Sequence, residues 1–186
     1  MKKQYKKFYK DYKIVTKELP NGKIKQVAEY IGKYYVCSLN EIELRKYKIY
    51  FLTLALCSSI TVIGIGFLNN PGSRILYVSL PYVSLFLPMA YSLMGTVGFM
   101  TSGKRIELPK YDKTIMRIYR STIWQIALSG ITIGGDLIFF FLNKNIKMLQ
   151  KEMLFVVGII LILVINIIFL QLQKKVIYQV EDSEQK

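Results

Sequence analysis

The residue with the most chemical potential in this chain is Asp136. It is the only formally charged residue between Ser121 and Leu142, a run long enough to cross a bilayer. A carboxyl placed there costs roughly 2.5–3.5 kcal/mol on insertion scales, so it needs a partner or a purpose. Its spacing from other polar residues is regular. With Gln125 at zero and about 100° per helical residue, Thr122 falls near 60°, Ser129 near 40°, Thr132 near −20°, Asp136 near 20° and Asn143 near zero. Six polar residues thus share one stripe. Three chemistries fit: a carboxyl hydrogen-bonded to a neighbouring helix or subunit, a proton- or cation-coupled site, or a carboxyl wetted from the outer interface. Tyr82 and Ser84 lie at a similar depth in the preceding apolar run and are the expected partners. Arg74, in the loop before that run, could reach down to the carboxyl. Asn166, further along the chain, is expected to bond to the stripe.

Other chemistries find little support. The chain has no His and two Cys, Cys37 and Cys57, which are isolated from each other. The commonest general base and metal ligand is therefore missing, and two separate Cys do not make a zinc site. There is no P-loop, dinucleotide-binding glycine motif or nucleophile–base pair. Glu107 and Asp112 are too sparse for acid–base work. The sequence therefore predicts no enzyme, no cofactor and no metal.

The helix that carries Asp136 also contains Gly130 and Gly134, a G-x-x-x-G placed nearly opposite the polar stripe. Small residues at this spacing favour close helix approach. A helix with two non-lipid faces is expected at the centre of a bundle or an oligomer.

The elements that must position these residues are membrane spans. Residues are 52% hydrophobic, with mean hydropathy +0.29. The apolar residues form four blocks, each near the ~20 residues that cross ~30 Å of hydrocarbon: Tyr47 to Leu68, Ile75 to Thr101, Ser121 to Leu142 and Met153 to Leu172. The expected fold is an all-α transmembrane four-helix polytopic bundle with a small cytoplasmic N-terminal β-hairpin. Three segments follow: residues 1–46 with hairpin and helical stem, the transmembrane domain 47–172, and the tail 173–186. No cleavable signal peptide is expected in the Lys-rich first 46 residues.

Lys and Arg set the orientation. Segments 1–46, 102–120 and 173–186 carry twelve, six and three, whereas the 69–74 and 143–152 loops carry one and three. Both termini are predicted to be cytoplasmic, in a multi-pass cell-membrane protein. The net charge of +14 is then mostly the positive-inside bias, which also suits anionic lipids or an acidic partner at the inner face. No recognition motif supports nucleic-acid binding. Heavy use of Lys, Ile, Tyr and Asn suggests an AT-rich bacterial genome.

Finer features complete the expectation. Pro81 and Pro88 should kink the second span, and with Ser84, Ser92 and Gly95 they form a small, polar face for helix packing. Tyr12 to Tyr30 reads as a hairpin with Asn21 and Gly22 in the turn, and residues 33–36 read as a third strand. Ser38 and Glu41 have the spacing of a capping box. Asp112 is the expected N-cap of a basic stem presenting Lys110, Lys113, Arg117 and Arg120 on one face.

The leading expectation is a non-catalytic accessory, regulatory or assembly subunit, working in a homo-oligomer or a larger membrane complex. The alternative is a small oligomeric transporter or channel with Asp136 as an intramembrane proton or cation site.

Overall fold

In hydrocarbon an unpaired backbone amide costs several kcal/mol, and a helix satisfies its own. The four apolar blocks accordingly become helices of 25 to 35 residues, each long and apolar enough to cross a membrane. The protein is thus a multi-pass membrane protein of four helical spans. The structure is a computed structural model that describes residues 11–18, 24–143 and 149–181. Span one is α1 (Glu41–Gly66). Span two is α2 (Leu76–Ser84) followed by α3 (Phe86–Met100). Span three is α4 (Leu108–Tyr111), a π-helical turn (Asp112–Met116) and α5 (Arg117–Leu142). Span four is α6 (Leu149–Lys175).

The spans pack as a ring. α1 lies against α3 and α6, while α5 lies against α6, α2 and α3. α5 is therefore one corner of the bundle, not its centre. Three inward faces follow a three–four spacing: Ala55, Ser58, Val62 and Ile65 on α1; Thr122, Gln125, Ser129, Thr132, Asp136 and Phe139 on α5; Phe155, Ile159, Ile162, Asn166 and Phe169 on α6. That repeat keeps one stripe facing its neighbours along a gently supercoiled bundle.

Helix boundaries follow local chemistry. α1 is capped by Asn40, whose side chain accepts from the Glu43 amide at 2.8 Å while Glu43 accepts from the Asn40 amide at 3.3 Å. The capping box is therefore Asn40–Glu43, not Ser38–Glu41. Ser38 instead donates its hydroxyl to the Ile177 carbonyl. Pro88 cannot donate to the Ser84 carbonyl, and the second span breaks at Leu85, between α2 and α3. Pro81 lies inside α2. Pro109 opens the third span's helix at Leu108, so Asp112 lies within helical backbone and is not its N-cap. At the edge of the first span, the Lys48 ammonium donates to the Met100 and Ser102 carbonyls, satisfying acceptors at the end of α3.

One end of the bundle is closed by β-structure. β1 (Tyr12–Glu18) and β2 (Ile24–Tyr30) pair antiparallel from Tyr12↔Tyr30 to Glu18↔Ile24. The predicted Asn21–Gly22 turn lies outside the described residues. β3 (Tyr34–Cys37) joins a separate sheet, between β4 (Arg105–Glu107) and β5 (Tyr178–Glu181). The third strand thus pairs with the 102–120 loop and the C-terminal segment. The hairpin docks through Tyr12, which donates to Glu107 at 3.2 Å and meets Tyr30 edge to face. Burial pushes the Tyr30 phenol up to about 12. It also raises the Cys37 thiol, whose strand partner is Tyr178.

Two apolar clusters fill the bundle. Phe51, Phe99, Ile118 and Phe169 lie toward the sheet end, and Val62, Tyr82, Phe139 and Phe155 toward the other. Between them is a polar layer to which every span contributes: Ser58, Ser92, Gln125, Ser129 and Asn166, all buried.

Candidate functional site

The far end of the bundle holds a buried acid pair. Asp136, near the end of α5, is 1% exposed, and Glu152, in the first turn of α6, is fully buried. The loop between the first two spans folds inward to meet them. Pro71 opens a 3₁₀ turn, Gly72–Arg74, and Asn70 and Gly72 are both buried beneath it. The Asn70 side-chain amide donates to one Glu152 oxygen at 3.0 Å, and the Gly72 amide donates to the other at 3.1 Å. The two carboxyls meet across Gly72. A Cβ there would lie 2.7 Å from Asp136 Oδ1 and closer still to Glu152, so glycine is what lets the backbone approach both.

The pair's hydrogen bonding is one-sided. Glu152 has two donors, yet neither Asp136 oxygen nor Asn70 Oδ1 has a hydrogen-bond partner among the described residues. All three are acceptors. Two facing carboxylates cannot hydrogen-bond each other without a proton between them, so the cluster calls for a proton or a cation. Arg74 does not supply the charge, because its guanidinium donates to Asn69 Oδ1 at 2.8 Å. The expected partners in the second span are occupied elsewhere. Tyr82 donates to the Val62 carbonyl at 2.6 Å, and Ser84 is exposed and donates to the Leu80 carbonyl.

From this pair a polar column runs along the bundle interior. Thr132 and Ser129 follow Asp136 on α5, both buried. Next comes the central network, where Ser58 donates to Gln125 at 3.2 Å and Asn166 donates to Ser58 at 3.2 Å. Asn166 thus reaches the stripe through α1. Toward the sheet end, Gln173 donates to Thr122 at 3.0 Å. The stripe Thr122, Gln125, Ser129, Thr132 and Asp136 therefore faces the interior along its whole length. Asn143 leaves it: the helix ends there, and its exposed side chain turns back to the Phe139 carbonyl.

The other predicted residues separate in space. Gly95 packs closely, since a Cβ there would meet Ile118 at 2.7 Å and the Thr114 carbonyl at 3.1 Å. A Cβ at Gly130 or Gly134 would have no neighbour within 4 Å among the described residues, and both glycines lie on an exposed face. Gly135, one residue on, is the packing glycine. A Cβ there would meet the Tyr77 carbonyl at 2.8 Å, the acceptor that Pro81 leaves without its helical donor. Lys113, Arg117 and Arg120 border a groove between the second and third spans, while Lys110 is exposed on α4.

Glu152 and Asn70 are functional candidates that a loop assignment hides. The signal for Glu152 was its phase. It stands three residues before Phe155, in step with the buried face of α6. No protein-family model, no curated protein and no solved structure matches this chain, so the functional reading rests on this geometry.

Proposed function

We propose that this protein is a non-enzymatic membrane protein that binds a proton or a small cation at the Asp136–Glu152 pair, with the sheet end and both termini in the cytoplasm. The observation that carries the reading is the buried acid pair whose Asp136 side has no donor among the described residues. Asp136 Oδ1 and Oδ2 are buried at Gly72 opposite a second carboxyl, Glu152, and, like Asn70 Oδ1, meet no donor among the described residues. An uncompensated buried charge is expensive, and a bound proton or cation removes that cost. The polar column extends from the pair toward the sheet end, which suits ion or proton movement in the alternative foreseen from the sequence. The orientation rests on the Lys- and Arg-rich segments adjoining β3, β4 and β5, which are gathered at one end.

The test is thermal unfolding of the purified chain in mild detergent, titrated with Na⁺, with K⁺ and across pH. A ligand that binds only the folded state at a hundred times its Kd adds about 2.7 kcal/mol. One of the three should therefore raise the midpoint saturably. Asp136→Asn, close in shape, should fold and lose that dependence. If wild type and Asp136→Asn respond identically, the pair binds nothing.

The accessory or assembly subunit remains a second reading, favoured by the open Gly130–Gly134 face. Copurification from mild detergent separates the two. A stoichiometric foreign partner supports the subunit, and a clean homo-oligomer supports the ion-binding protein.

A further inference from the structure

We infer that the groove between the second and third spans is a binding site for one anionic glycerophospholipid. It has a volume of about 610 Å³. It forms where the second span breaks at Leu85, and Pro88 lines it from that side. On the facing side the π-helical turn carries Lys113, and α5 supplies Arg117, Arg120, Trp124 and Leu128.

The order of these residues matches the layers of a lipid. Arg120, Trp124 and Leu128 are spaced by four and therefore stack along one face. From Arg120 to Leu128 the helix descends about 12 Å at 1.5 Å per residue. Guanidinium groups thus sit at the headgroup level, an indole at the glycerol level where Trp is favoured, and Leu128 with Leu87 at the start of the acyl region. Trp124 is 61% exposed and Leu87 66% exposed, so the apolar floor is open to a chain lying across it.

The charge at the mouth selects the headgroup. Among the described residues that line the mouth, Arg117 and Arg120 stand with Lys113, and the carboxylate is Asp112. Arg120 stands 3.9 Å from Asp112, longer than a hydrogen bond, which leaves guanidinium donors for a phosphate. Arg117 rests its guanidinium 5.6 Å from the centre of the Tyr91 ring, holding a second positive charge at the rim. Arginine forks suit phosphate oxygens in pairs, and basic clefts between spans are where anionic headgroups lodge. An acidic peptide fits less well, because its backbone amides would be unpaired at the depth of Trp124 and Leu128.

Trp124 is the chain's single tryptophan, so its fluorescence reads the groove directly. The full chain is reconstituted in phosphatidylcholine vesicles that contain a rising fraction of brominated phosphatidylglycerol or, separately, brominated phosphatidylcholine. Quenching by the anionic lipid should saturate at a much lower mole fraction. Replacing both arginines (Arg117→Gln, Arg120→Gln) should raise that fraction roughly five-fold per arginine lost. Lys174→Gln with Lys175→Gln, at the same end of α6, should leave it unchanged. Identical wild-type curves for the two headgroups overturn the proposal, and this comparison needs no variant to fold. Equal effects of the two double substitutions overturn it too, by reducing the preference to general surface charge. Weak quenching by both lipids also overturns it, since a second copy or another protein then covers Trp124.

Discussion

Gly72 is the residue on which the acid pair turns. Its missing side chain lets one amide reach Glu152 while Asp136 stands 2.7 Å from the position a Cβ would take. Gly72→Ala should force the Glu152 carboxylate away from the Gly72 amide and Asn70. A charged hydrogen bond contributes about 1.5–3 kcal/mol, and both would be weakened. The expected loss is on the order of 2 kcal/mol, read as a lower thermal midpoint in detergent, and an unchanged midpoint would show that the loop does not bind Glu152 as described. Half of this site was legible in the sequence. Asp136 announced itself because a charge inside an apolar run is rare and its polar companions recur at helical spacing. Glu152 stayed hidden because it sits at the border of an apolar run, where a carboxylate is ordinarily wet. Only folding the 67–75 loop inward makes that border dry.

Glycines show how far element packing follows from spacing alone. The G-x-x-x-G of α5 marks a face on which backbones could approach, but among the described residues nothing packs on it. Close approaches fall instead at Gly95 and Gly135, against Ile118 and Tyr77, and at Gly98 and Gly158, against Thr114 and Ile65. Spacing identifies a narrow strip on a helix, whereas the placement of the neighbouring helices decides whether the strip is used. Gly95→Val should therefore destabilise the fold by about 1–3 kcal/mol through overpacking against the Thr114 backbone. Gly130→Val and Gly134→Val should leave monomer stability within experimental error. Thermal unfolding compares all three, and chemical crosslinking of the latter two asks whether the free strip joins copies of the chain. The spans themselves were readable because length and hydropathy leave hydrocarbon few alternatives. β4 and β5 were not, since strands of three and four residues are too short to show alternation, and their partner β3 is distant in sequence.

At the scale of the whole molecule, the three-stranded sheet constrains how the chain threads the membrane. Strands from before the first span, between the second and third, and after the fourth are hydrogen-bonded in one sheet, in the order β4–β3–β5. Backbone ladders cannot form across a bilayer, so these three segments share one side. The Lys and Arg distribution supports the proposal that this side is the cytoplasm, because the segments flanking the sheet are the basic ones. The hydrogen-bond register thus requires an even-numbered threading, and under the orientation proposed above the 67–75 loop with its acid pair lies outside. Single cysteines placed at Asn69 and at Gln179, in a chain with Cys37→Ser and Cys57→Ser, should report opposite sides to an impermeant maleimide added to intact cells. Asn69 is exposed in the loop that carries Asn70 and Gly72, while Gln179 is exposed in the middle of β5. Labelling of Asn69→Cys from outside, with Gln179→Cys reacting only after the membrane is opened, is the expected result. Reaction of both from the same side would break the link between sheet and bundle, and with it the placement of Asp136 and Glu152 near the outer surface.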